Sequence, residues 1–225
     1  MYKQSLNLLY KYSINIYIMN DNPPYKLVIY SGGKCGGSSL YSSFINLINC
    51  IFIHKDEQYI KCKTMGIYPF NKPQNNLNSI FKNVSNECFF IDVYRNTIDR
   101  TISAYFQNYE HNIKYFKIPK FDKLEDEVDY FNIFVYHKLE NYEGFEEVMR
   151  HYNIDKLHNM KNYWIMRKHG KIFLRLRFDK INEWENIILK ELKLKIDLRK
   201  ENMAENKTYH NKYIEFKKIY YKNYL

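Results

Sequence analysis

Four short apolar runs punctuate the chain: YKLVIY (25–30), CIFIH (50–54), CFFIDVY (88–94) and KIFLRLRF (171–178). Continuous apolar runs suit strands buried on both faces, the environment of a parallel sheet. Between them the pattern changes to a helical period. SSLYSSFINLIN (38–49) sets Leu40, Phe44, Leu47 and Ile48 on one face, and TIDRTISAYFQNY (97–109) and NEWENIILKEL (182–192) follow the third and fourth runs. LNSIFKNV (77–84) predicts a short helix, and 122–150 turns from acidic to aromatic, with Phe131, Phe134, Val135 and Leu139 at helical spacing. Within 199–225, Tyr213, Phe216, Ile219 and Tyr220 form a stripe, read as a helix packed on the sheet, with a solvated tail as the alternative. KCKTMGIYPFNKPQNN (61–76) reads as loop, with Gly66, Pro69 and Pro73 as breakers. Strands alternating with helices predict an α/β fold with a central parallel sheet flanked by helices. Pro23 and Pro24 mark a break, so a leading segment of unassigned order (1–24) precedes a single domain (25–225).

Composition narrows the class. A chain of 225 residues is long enough for one sizeable core, and 45% hydrophobic with 18% aromatic residues excludes a disordered chain. The net charge of +10 fits an anionic partner, and equally a compositional bias that inflates Lys, Asn, Ile and Tyr together. Nucleic acid is not expected as that partner, because no DNA- or RNA-binding motif accompanies the charge. Cys35, Cys50, Cys62 and Cys88 show no CxxC pairing and no metal-ligand spacing, which suits a reducing compartment. No run approaches the roughly 20 apolar residues of a membrane span, and the N-terminus lacks an uninterrupted signal-type core. A soluble, cytoplasmic protein is expected.

The chemistry-bearing stretch is YSGGKCGGSSL (30–40). A glycine-rich turn between a buried strand and a helix aims successive backbone amides at one point, and the helix terminus adds partial positive charge. Gly32 and Gly37 have the spacing of a Walker loop, but Ser38 stands where its lysine belongs, and the lysine comes earlier, as Lys34. That weakens a triphosphate reading. In DVYRNTIDRTISAYFQN (92–108), Arg95 closes the third strand and Ser103 follows eight residues later in the next helix. A guanidinium fork and a hydroxyl at the C-terminal edge of a parallel sheet suit a phosphate. Taken singly, Arg95 and Arg100 could also pair with Asp92, Asp99 or Glu110.

Together and in this order, K-C-G-G-S-S (34–39) and R-x-x-x-D-R-x-x-S-x-Y (95–105) resemble the two nucleotide-binding motifs of the sulfotransferases that use 3′-phosphoadenosine 5′-phosphosulfate (PAPS). Thr97 stands where that family often has proline. KIFLRLRF followed by DKINEWENIILKEL resembles its later strand-then-helix segment, and ENKTYHNKYIEFKK (205–218) extends the likeness to the capsular polysaccharide synthesis protein group. The resemblance runs from about 26 to 218, with only the first two motifs specific.

The resemblance implies a three-layer P-loop-like fold, a PAPS co-substrate, no metal, and a hydroxyl acceptor, a polysaccharide or other glycan. It assigns Lys34 to the bridging oxygen of the phosphosulfate, Cys35, Gly36, Gly37, Ser38 and Ser39 to the 5′-phosphate, and Arg95 and Ser103 to the 3′-phosphate. The acceptor needs a general base. His54, ending the second strand, is the preferred candidate, with Glu57 and with His137 beside Glu140 as others. Trp164, Trp184 and many tyrosines compete for an adenine-stacking role. RKHG (167–170) resembles a basic-glycine element of cytosolic sulfotransferases but precedes the fourth strand, so it carries no assignment. The alternatives are a P-loop phosphotransferase and an inactive protein of the sulfotransferase fold.

Overall fold

The computed structural model describes residues 24–32, 35–54, 59–62, 66–69, 80–107, 109–115, 117–139, 145–199 and 207–225, with the backbone alone at 54, 59–62, 66–69, 111, 138 and 139. The leading segment up to residue 23 lies outside them. Among the described residues, strands β1 (Tyr25–Ser31), β2 (Cys50–His54), β3 (Tyr59–Cys62), β4 (Gly66–Pro69), β5 (Val84–Tyr94), β6 (His158–Asn159), β7 (Tyr163–Lys168) and β8 (Lys171–Arg177) form one sheet, ordered β4-β3-β2-β1-β5-β8-β7-β6. The four apolar runs are its four central strands. β1 pairs in parallel with β2 and β5, and β5 with β8. The flanking pairs are antiparallel.

The helices are α1 (Gly37–Phe44), α2 (Thr97–Gln107), α3 (Tyr109–Tyr115), α4 (Leu124–Tyr130), α5 (Tyr136–Leu139), α6 (Glu146–His151), α7 (Trp184–Leu192) and α8 (His210–Tyr224). They cover both faces of the sheet, because β1 is apolar on both. Leu27 and Ile29 pack with Leu40 and Phe44 of α1 and with Trp184 and Ile188 of α7. Val28 and Tyr30 face the other way, onto Phe81, Phe145 and Val148. At about 25 cal/mol per Å² of apolar surface, this two-sided burial dominates the stability of the central strands.

Three expectations change. Residues 61–76 were expected to be loop throughout, yet Tyr59↔Pro69 to Cys62↔Gly66 form an antiparallel ladder. Proline is tolerated there because β4 is the outermost of the described strands, and an edge strand loses least from a missing amide. The helix expected over 77–84 is helical at 80–82, and β5 already begins at Val84. The stripe on α8 packs on helices rather than on the sheet: Tyr213, Phe216 and Tyr220 share a cluster with Ile102, Tyr105 and Phe106 of α2 and with Val128 and Phe131. The sheet faces are already occupied, so the apolar side of α2 is what remains to be covered.

Between α4 and α5 the chain makes a π-helical turn, Phe131–Val135. The extra residue in that turn shifts the phase of the stripe. Phe131 and Val135 stay fully buried, while Phe134 swings out to 52% exposure against the Tyr130 ring. RKHG is a hairpin corner: His169 (φ +50°) and Gly170 (φ +73°) make a two-residue turn joining β7 to β8. Among the described residues no helix is long and apolar enough to cross a membrane.

Candidate functional site

Because the four central strands are parallel, their C-terminal ends open on one edge, where ligands bind in sheets of this kind. β1 ends at Ser31, whose register partner in β2 is His54. β5 ends at Tyr94, opposite Arg177 of β8, and Arg95 follows at once. The glycine-rich loop, His54 and Arg95 therefore leave the sheet from neighbouring strand ends. Lys34 and Gly33 lie outside the described residues, as do Glu57 and Glu140, and only the backbone of His54 is described.

The two glycines at the end of the loop have different physical roles. Gly36 is left-handed (φ +83°), and a Cβ there would sit 3.0 Å from Trp184 Cη2 and 3.4 Å from Phe178 Cε2. Gly37 is needed for space: a Cβ would sit 2.7 Å from Phe52 Cε2 and 3.1 Å from Ser31 Cβ. Together they start α1 directly beneath the strand ends. Among the described residues that terminus has no side-chain cap, and its first turn holds no acidic residue. The amides and partial positive charge of a helix start of this kind favour an anion. α2 starts nearby but is closed, since Asn96 Oδ1 accepts from the amides of Ile98 (2.9 Å) and Asp99 (3.4 Å). Ser38 is half-buried and Ser39 buried. Ser43 Oγ donates to the Ser39 carbonyl at 2.7 Å and accepts from the Arg199 amide at 2.9 Å, which braces the first turn. Cys35 is buried in the core beside α1 and α7, so only its backbone can reach a ligand.

Arg95 meets the loop through one aromatic ring. Its guanidinium carbon lies 4.5 Å from the centroid of Phe178, the ring that also lies against Gly36. Phe178 opens the turn after β8, and Trp184 Nε1 donates to the Arg177 carbonyl at 2.8 Å, fixing that turn. Arg95 Nη2 also donates to the Tyr213 hydroxyl of α8 at 3.2 Å. Asp99 pairs with Lys217 (2.6 Å) and accepts from Tyr221 (3.2 Å), both on the same helix. Ser103 stands two turns into α2, half-buried. Trp184 is fully buried, which removes it as an adenine-stacking ring, and Trp164 is half-buried edge-on to Tyr94. His137 is exposed on α5 in the helical layer.

A second polar group lies on the opposite sheet face. Buried Asp92 pairs with Arg175 (2.8 Å), which also reaches Glu146 (2.9 Å), and the Tyr30 hydroxyl donates to Glu147. Burial pushes the Asp92 carboxyl up to about 6 despite the attraction of Arg175. Arg175 is also pushed up, because its burial is outweighed by Asp92 and Glu146. The two shifts differ in sense for the ion pair, and the deeper burial of Asp92 explains why desolvation wins there. Asp92 is therefore committed to β8 and α6.

Phe178 and Tyr213 are the functional candidates that the motifs did not reveal. Each contacts a motif residue from far along the chain, and neither belongs to a recognisable local pattern. Compared with protein-family models, curated proteins and solved structures, the chain matches none.

Proposed function

We propose that the chain is a sulfotransferase of three-layer, P-loop-like fold that moves a sulfuryl group from PAPS to a hydroxyl acceptor, a polysaccharide or other glycan. The observation that carries the reading is the meeting of the uncapped α1 terminus and Arg95 at the Phe178 ring, on adjacent parallel strands. This gives two separate anion-holding features at one sheet edge, which suits a nucleotide charged at both its 5′ and 3′ ends.

In this reading the amides of Gly36 to Ser39 and the Ser38 and Ser39 hydroxyls hold the 5′-phosphate. Arg95 and Ser103 hold the 3′-phosphate. The acceptor oxygen attacks sulfur as the bond from sulfur to the bridging oxygen breaks, and the electron pair leaves on the 5′-phosphate of adenosine 3′,5′-bisphosphate. Lys34 neutralises that oxygen, and His54 takes the acceptor's proton. Charge stabilisation and in-line positioning supply the rate, and no metal takes part.

Titration calorimetry with adenosine 3′,5′-bisphosphate, ADP and ATP, with and without magnesium, tests it. The expected result is metal-independent preference for the bisphosphate, weakened about 10- to 100-fold in Arg95→Ala by loss of a charged hydrogen bond. Preference for ATP with magnesium would overturn it in favour of a phosphotransferase.

A further inference from the structure

The C-terminal helix α8 lies along the part of α2 that carries the second motif. Lys217 and Tyr221 bond Asp99, while the Tyr209 and Tyr213 rings pack on Phe106 at centroid distances of 5.9 Å and 5.7 Å. Ser103 sits between those two contact points in the sequence of α2. Residues 210, 213, 217 and 221 fall on one stripe of a helix with 3.6 residues per turn, so the stripe that reaches Arg95 and Asp99 begins with His210.

Two polar atoms on that stripe have bonding capacity still to use. The Tyr213 hydroxyl accepts from Arg95 Nη2 at 3.2 Å, and a hydroxyl in that role retains a proton to donate. The residue as a whole is 7% exposed. His210 Nδ1 is buried and has no hydrogen-bond partner among the described residues. Buried polar atoms are almost always paired, so an orphan one helical turn from Tyr213 on the same stripe calls for a ligand atom.

Building on the donor-site reading, we infer that α8 completes the pocket for the donor's 3′-phosphate, with the Tyr213 hydroxyl and His210 Nδ1 donating to its oxygens alongside Arg95. The helix then determines specificity: it favours nucleotides carrying a 3′-phosphate over those phosphorylated only at the 5′ position. A phosphate monoester has enough acceptor oxygens to satisfy the guanidinium, the hydroxyl and the imidazole together.

Calorimetry on the full chain with adenosine 3′,5′-bisphosphate and with 5′-AMP, using Tyr213→Phe, His210→Phe and Tyr221→Phe, tests this. Both Tyr213→Phe and His210→Phe keep a ring and lose the polar atom. Each is expected to weaken bisphosphate binding about 5- to 10-fold, the worth of one hydrogen bond, with 5′-AMP binding unchanged. Tyr221→Phe, which loses a bond to Asp99 on the same stripe, is expected to leave the discrimination intact. Bisphosphate affinities within twofold of wild type in both Tyr213→Phe and His210→Phe would overturn the inference. So would an equal loss for both nucleotides, or an equal effect from Tyr221→Phe, since either would trace the change to helix docking. Equal binding of the two nucleotides by the wild-type chain would instead overturn the donor-site reading on which the inference rests.

Discussion

Gly37 is where one missing methyl group decides the local geometry. A Cβ there would fall 2.7 Å from the Phe52 ring, and Phe52 is itself only 1% exposed, so the ring has nowhere to retreat. Gly37→Ala is expected to destabilise the chain by about 1–3 kcal/mol, the usual cost of overpacking, read from urea unfolding. An unchanged midpoint would mean that the loop tolerates a shift away from β2. Asp92 gives a pH prediction. Its carboxyl titrates near 6 in the folded chain and near the ordinary 3.8 when unfolded. The folded state therefore binds the extra proton between those values, and this group's contribution to stability falls as pH rises from about 4 to about 6. Comparing wild type with Asp92→Asn across that window isolates it. The wild type is expected to lose on the order of 2–3 kcal/mol relative to the variant, and a flat difference would contradict the assignment. The strand-end position of Arg95 and the glycine loop were legible from sequence because each motif is local. Phe178 and Tyr213 were not, because they reach the motif residues only through folding, from 83 and 118 positions downstream of Arg95.

Elements buried on two sides were easier to read than those at the margins. β1, β2, β5 and β8 advertise themselves as unbroken apolar runs because helices cover both of their faces. β3 and β4 were missed because an edge strand can carry Gly66 and Pro69 at little cost, and β7 because YWIMRK mixes apolar and basic residues. The placement of α8 was missed for another reason: an apolar stripe identifies a buried face without naming what buries it. Its attachment to α2 and α4 rests on Phe216, fully buried against Tyr105, Phe106 and Phe131. Phe216→Ala is expected to cost about 3–5 kcal/mol in chemical denaturation. A polar knot adds to this, since Glu127 accepts from Tyr105 (2.9 Å) and Tyr109 (2.7 Å) and pairs with Lys212 of α8 (2.7 Å). Glu127→Gln is expected to lower stability by about 1–3 kcal/mol, because it removes the charge that balances Lys212. Ionic strength then provides the check: the gap should narrow as salt screens the partly exposed lysine.

Across the whole molecule, protection should grade outward from the centre of the sheet. Amides of β1, β5 and β8 are expected to exchange hydrogen most slowly, and those of β6 and the 169–170 corner fastest, in native-state exchange. Uniform rates across the eight strands would show that the flanking hairpins unfold only with the core. The strand order has a further consequence for how the chain is made. Both pairings of β5 are distant in sequence: Leu27 lies beside Phe89, and Phe89 beside Ile172. While the ribosome is still extending the chain towards β8, β5 has an open side with no permanent neighbour. Loops of this size must close before the apolar strands are rewarded with contact, so folding of the sheet is slow by nature. The newborn chain therefore exposes one of its most apolar segments until most of its length has emerged, and its yield in a cell depends on keeping CFFIDVY from a stranger's edge.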